Sequence, residues 1–304
     1  YKSLFASILG CGVQLLLIFI SLLTLAVVGV FHPYGRGTTY AAAIVIYALT
    51  AVIAGAVSGA MYKKLQGAAW VHNVLTTVSL FVGPVFVVWS ILNTIAIFYD
   101  STAALPFGTI CAIFALYFLV AFPLTLAGAI AGKNYAGDFD APTRTKFNPR
   151  EIPVAPWYRQ TPVHLFVAGF LPFSAIYVEL YYVFISIWGH QTFTPFGILY
   201  LAFIILLVVT ACINVSLTYL QLSTEDHDWW WLSICSGGAT SGFVWLYCFY
   251  FYTVESSMSG LLQLAFYFGY MAVLCYAFFL TLGTVGFFAS LTFVREIYRS
   301  IKSD

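Results

Sequence analysis

Apolar residues run in stretches of twenty or more along this chain, separated by short polar breaks, with no alternation of the kind a half-buried strand shows. Crossing ~30 Å of hydrocarbon at ~1.5 Å per residue takes about 20 residues, so each stretch can cross a bilayer as a helix. A spanning segment must satisfy its backbone hydrogen bonds internally, which leaves helices or a closed barrel, and continuous apolarity selects helices. The pattern predicts eight spans, at about Leu4–Val30, Thr39–Tyr62, Val74–Phe98, Phe107–Ala131, Leu165–Trp188, Ile198–Leu220, Leu232–Val254 and Leu261–Val294. The expected fold is all-α: one polytopic transmembrane helix bundle over residues 1–304. Composition agrees, since 62% hydrophobic against 8% charged residues excludes an ordinary soluble domain.

Charge then orients the bundle. An even number of spans puts both chain ends on one face, and that face collects eleven of the twelve basic residues: Lys2, Lys63, Lys64, Lys133, Arg144, Lys146, Arg150, Arg159, Arg295, Arg299 and Lys302. Only Arg36 falls on the other. Lys and Arg near span ends resist translocation, so the crowded face is expected to be cytosolic, together with the tail 295–304. The largest connection, residues 132–164, lies on that side and holds Pro142, Pro149, Pro153, Pro156 and Pro162, which predicts an extended strap. Trp229, Trp230 and Trp231 stand where a span enters the membrane, as an interfacial aromatic belt predicts. The chain opens on Tyr1 with a span starting almost at once, which reads as the back part of a longer protein.

Few polar side chains interrupt the spans, and each needs a reason to be there. Glu179 lies near the middle of the fifth span, where a carboxylate is costly unless it holds a proton, a partner or water. Helical spacing puts Pro172, Ala175, Tyr182 and Ser186 on its face, a small and polar set. Two readings stand: a proton or cation site, or a structural hydrogen bond between helices. Thr210, Asn214 and Thr218 repeat every four residues, with Gln221 one step on, and Gln263, Tyr267 and Tyr270 align on the last span. Interhelical hydrogen bonds of about 1 kcal/mol each explain these, with a transport path as the alternative. Small residues recur at close-packing spacing at Gly55 and Gly59, Gly128 and Gly132, Gly238 and Gly242, and Gly286 and Ser290. They suit packing within the bundle or docking of another protein's helix.

Enzyme chemistry finds no foothold. The five histidines lack metal-site spacing, and there is no Walker loop, GxSxG or dinucleotide fingerprint. Glu225, Asp226, His227 and Asp228 form an acidic cluster that reads as a solvated loop or helix start, or as a cation site. No cofactor, metal or nucleic-acid partner is expected.

Several motifs together resemble the nonaspanins, the transmembrane-nine superfamily, along the whole chain. They are Leu4-Phe5-Ala6-Ser7 with Gly12-Val13-Gln14-Leu15; Pro142-Thr143-Arg144-Thr145-Lys146, Pro149-Arg150-Glu151-Ile152-Pro153 and Pro156-Trp157-Tyr158; Leu171-Pro172-Phe173 and Val178-Glu179-Leu180-Tyr181-Tyr182; Leu222-Ser223-Thr224-Glu225-Asp226-His227; and Tyr267-Phe268-Gly269-Tyr270 with Gly283-Thr284-Val285-Gly286-Phe287-Phe288. The resemblance implies nine spans and a lumenal N-terminal domain, so that domain and a first span are missing here. It further implies a non-enzymatic protein of Golgi and endosomal membranes that assists the sorting, localisation or surface delivery of client membrane proteins with Gly-rich spans. Its expected partners are those clients, membrane lipids and the COPI coat, the last reading Lys302-x-Asp304 as a retention signal. The alternative is a proton-coupled transporter or channel that uses Glu179, with Tyr182, Asn214 and Gln263 as further polar candidates and Gly55, Gly59, Gly238 and Gly242 as the candidate docking face.

Overall fold

The computed structural model describes residues 1–30, 36–137, 139, 151–153, 160–188, 196–256 and 260–300. Its helices are α1 (Lys2–Val27), α2 (Arg36–Lys64), α3 (Trp70–Phe98), α4 (Phe107–Leu116), α5 (Phe122–Tyr135), α6 (Thr161–Trp188), α7 (Phe196–Leu222), α8 (Trp229–Val254) and α9 (Leu261–Ser300). A π turn at Tyr117–Ala121 joins α4 to α5, and the joined pair counts as one of eight helices long and apolar enough to cross a membrane. No strand occurs among the described residues. The all-α, eight-span expectation therefore holds. Most of the proline-rich strap, and Lys302 with Asp304, lie outside the described residues.

Helix ends depart from the hydropathy pattern where polar residues are drawn into a helix by packing. The third span starts at Trp70, four residues before its apolar run, which brings His72 and Asn73 onto a helix. The last helix runs on to Ser300, and its 40 residues make ~60 Å of helix, about twice the hydrocarbon thickness. The fourth span holds the least regular helix. Pro123 has no N–H, so the carbonyl of Leu119 loses its α-helical partner. The turn before it widens, and the Phe122 N–H donates five residues back to the Tyr117 carbonyl.

The chain divides into two compact units, Tyr1–Ala136 with Trp245–Ala277, and Gly137–Val244 with Phe278–Asp304. Unit one is built on small residues. Gly55 and Gly59 of α2 lie against the backbone of Thr125 and Ala129 on α5, while Gly128 and Gly132 of α5 lie against Val52 and Ala56 on α2. A Cβ at any of the four would run into the facing main chain, so two GxxxG faces close on each other. Gly10 brings α1 onto Ala54 and Ser58 in the same way, and residues 5–12 of α1 are buried without a break.

Unit two packs Ile176 of α6, Leu206 of α7 and Leu282 of α9 in one apolar cluster. Close approach recurs where Gly237 of α8 meets the Leu282 carbonyl and Gly283 of α9 meets the Ile234 carbonyl. Trp229 begins α8. It is buried against Phe287 of α9, with ring centroids 5.8 Å apart, while Trp231 of the same turn is exposed.

Candidate functional site

The four-residue repeat on α7 places Thr210, Asn214, Thr218 and Gln221 in one row, and all four are buried. Each rung but one finds a partner inside unit two. Ser236 of α8 donates to Asn214 Oδ1 at 2.5 Å. Thr218 and Ser290 of α9 share a hydrogen bond of 2.8 Å. Gln221 donates to Asp226 Oδ2 at 2.9 Å, while Asp226 Oδ1 accepts the Asp228 N–H at 3.0 Å. That last pair explains the acidic cluster as the folded entry to α8. Gly286 has no Cβ because the Asn214 amide fills the place one would take. Three helices thus share a polar seam within an apolar sequence.

The seam ends in two silent hydroxyls. Thr210 lies one turn before Asn214, and Thr240 one turn after Ser236. Both are fully buried, and neither hydroxyl has a hydrogen-bond partner among the described residues. A buried unpaired hydroxyl costs about 1–3 kcal/mol, so this end of the seam is where an added polar group would gain most.

Glu179 stands apart from the seam. It is half-buried on α6, one turn from Ile176, and no hydrogen bond or ion pair reaches it among the described residues. On its face Pro172 is buried, Ala175 is exposed and Tyr182 is 56% exposed. Ser186 turns its hydroxyl onto the Tyr182 carbonyl instead. The hydrogen bond that the sequence suggested for this carboxyl is therefore not made among the described residues. Gln263 is exposed at the start of α9, in unit one. Of the four polar candidates, only Asn214 sits in a buried network.

The candidate docking glycines separate in the same way. Gly55 and Gly59 are occupied by α5, and Gly238 holds the ring of Phe279. Gly242 is exposed, with nothing within 4 Å of the position a Cβ would take.

A second polar network, in unit one, escaped the sequence reading. Ser58 of α2 and Thr77 of α3 share a 2.7 Å hydrogen bond, Ser7 of α1 meets Thr77 at 3.0 Å, and Asn73 donates to Ser58 at 2.8 Å. Cys11 donates to the Thr77 carbonyl at 3.2 Å, and Gln14 to the Tyr47 carbonyl at 3.0 Å. The available signal was a run of single small polar residues on three consecutive spans, which no spacing rule links.

Comparison with known sequences places this architecture. The profile of the family described as "Endomembrane protein 70" matches residues 1–261. The chain belongs to that family. Within the endomembrane protein 70 family it is 55% identical over 304 residues to "Transmembrane 9 superfamily member 4" of Arabidopsis thaliana, covering all of this chain and 51% of that protein. It is 48% identical over 304 residues to "Transmembrane 9 superfamily member 1" of Bos taurus, covering all of this chain and 50% of that one. A Dictyostelium discoideum relative, named "Putative phagocytic receptor 1b", is 50% identical over 304 residues, all of this chain and 52% of that protein. The chain spans about half the length of the curated relatives it matches. No solved structure matches it. The resemblance to the transmembrane-nine superfamily is borne out, and this endomembrane protein 70 family chain is a multi-pass membrane protein.

Proposed function

We propose that this chain is the membrane-embedded, non-enzymatic part of a Golgi and endosomal sorting factor, which holds transmembrane spans of client proteins and assists their localisation or surface delivery. The observation that carries this reading is Glu179. A carboxyl near the middle of a span needs a proton, a partner or water, and this one has no partner among the described residues while its neighbour Tyr182 is open to the outside. A client span with an exposed amide, hydroxyl or backbone carbonyl, as Gly-rich spans present, supplies the missing partner. Gly242 offers a second position where a foreign helix can come close without meeting a side chain. The family description and the relatives' names, one of them "Putative phagocytic receptor 1b", support a role among membranes rather than a metabolic reaction. Lys302 and Asp304, on the face with the basic excess, are the residues the COPI coat would read.

One observation favours a second reading. The unpartnered hydroxyls of Thr210 and Thr240 suit a hydrated path, and a proton-coupled transporter would need one. Glu179→Gln separates the two. For a sorting factor, the variant folds but a Gly-rich-span reporter no longer reaches its compartment, and proteoliposomes show no pH-driven flux with either protein. Normal reporter delivery by the folded variant would end the sorting reading. Flux in the wild type that Glu179→Gln abolishes would establish the transporter.

A further inference from the structure

Where the lysines of unit one collect, α2, α3 and α5 enclose a cavity of about 220 Å³. Its walls include Tyr62, Lys63, Gln66, Trp70, Asn73 and Lys133. The connection that shapes it is tightly wound. Gln66 takes a left-handed φ of 52°, the Ala69 N–H donates to the Tyr62 hydroxyl at 3.0 Å, and Gly67 lies against the Tyr62 ring where no Cβ would fit. Asn73 and Tyr62 are buried, so they form the inner wall, while Gln66 and Lys133 are exposed at the mouth. Lys63 is held by donating to the Ala136 carbonyl at 2.5 Å, and the Lys133 ammonium lies 5.1 Å from the centre of the Trp70 ring.

Among the described residues no carboxylate answers these two charges. The lining has none, and Asp100, the acid within residues 1–137, stands beyond the opposite end of α3, ~40 Å away along the helix, while Asp138 and Asp140 lie outside the described residues. Lysines at span ends ordinarily extend into the headgroup layer without forming a site. Lys64 fits that description, since it does not line the cavity. Lys63 and Lys133 differ: each is fixed by a neighbour, and together they flank a preformed concavity with amide and hydroxyl groups on its walls. The hollow is too small for a peptide helix and large enough for one headgroup.

We propose that this cavity binds a phosphomonoester on a polyol headgroup, with Lys63 and Lys133 as its cationic ligands, Asn73 and Gln66 as hydrogen-bond donors, and Trp70 as a wall against the ring of the polyol. The lipid bilayer and the soluble phosphate pool both offer this chemistry. The site stands apart from the sorting reading, since neither Glu179 nor Gly242 takes part in it.

The test is calorimetric titration of the purified protein in neutral detergent. Dioctanoyl phosphatidylinositol 4-phosphate is compared with dioctanoyl phosphatidylcholine, dioctanoyl phosphatidylserine and soluble inositol 1,4-bisphosphate, for the wild type and for Lys63→Gln, Lys133→Gln and Lys64→Gln. The phosphomonoester lipid is expected to bind more tightly than the other two lipids. Lys63→Gln and Lys133→Gln should each weaken it roughly fivefold, with Lys64→Gln changing it less than twofold and all melting temperatures without ligand unchanged. Inositol bisphosphate binding as tightly as the lipid, with the same lysine dependence, would support the phosphate site and assign it to a soluble ester. Equal binding of all three lipids, or an equal loss with Lys64→Gln, would overturn the proposal, because either outcome describes attraction to a basic surface.

Discussion

The two units build their cores from the same small polar residues and close them differently. In unit one the side chains of Ser7, Ser58, Asn73 and Thr77 are joined across three helices by hydrogen bonds of 2.7 to 3.5 Å. In unit two the row on α7 is joined as far as Asn214 and Ser236, then reaches Thr210 and Thr240, whose hydroxyls bond to nothing among the described residues. The first arrangement fixes one geometry, since any slide of α1, α2 or α3 breaks several bonds together. The second tolerates rearrangement at its unpaired end, where sliding a helix by a turn breaks fewer bonds. Closed networks hold helices in register. An open end leaves room for water, a substrate or movement.

The largest effect that sharpens this contrast belongs to unit one. Gly128→Leu drives a side chain into the backbone of Val52, a main-chain clash that rotamer changes cannot relieve. It should cost more than about 3 kcal/mol and remove the cooperative thermal transition in detergent, whereas Gly242→Leu, with open space around it, should melt like the wild type. Equal loss in the two would mean that close approach at Gly128 is not what sets the cost, since helix propensity by itself favours Leu at both positions.

Next in size is Asn73→Ala. It removes the amide's bonds to Ser58 and Ser7, leaving both hydroxyls to Thr77, and should destabilise by about 2 kcal/mol in a chemical or thermal melt. A value near zero would show that the unit-one network is no tighter than the seam.

The paired change Thr210→Val with Thr240→Val should be neutral or stabilising by up to about 1 kcal/mol, because it removes two unpaired hydroxyls at nearly constant volume. Destabilisation would reveal an ordered water or ion at that end of the seam and would favour the transport reading. The smallest effect on stability is expected for Glu179→Gln, within about 0.5 kcal/mol by the same melt, since no bond among the described residues is lost. Its consequence lies in client delivery, and a large loss of stability would show that the carboxyl is structural after all.

The fold was legible in this sequence because hydrocarbon thickness imposes a length on every span, and that length needs no knowledge of neighbours. The row Thr210–Asn214–Thr218 was legible too, since α-helical spacing alone puts it on one face. What escaped were partners. Asn73 precedes the apolar run of its span, so hydropathy left it outside a helix that tertiary packing extends to Trp70. Pro123 removes a helical hydrogen bond, but nothing in the apolar pattern distinguishes a kink from a π turn. The glycine pairs looked alike in sequence, and only the facing helix separates the occupied Gly55 and Gly59 from the open Gly242. Lys63 and Lys133 counted as topology signals, and their shared hollow depends on three helix ends that no local rule brings together.

The widened turn at Tyr117–Ala121 sets the angular phase of everything after it. Each residue of an α-helix advances the face by about 100°, and accommodating one extra residue in a single wide turn shifts the phase by that amount. Before the turn, Phe114 meets Phe86 of α3 with ring centroids 5.2 Å apart, and Tyr117 donates to the Val78 carbonyl on that same helix. After it, Gly128 and Gly132 confront α2. A single-residue deletion here that removed the widening would preserve both faces. Straightening the turn at constant length would instead swing one of them out of mesh, so residues 117–121 work as a clutch that lets one helix engage two differently oriented neighbours.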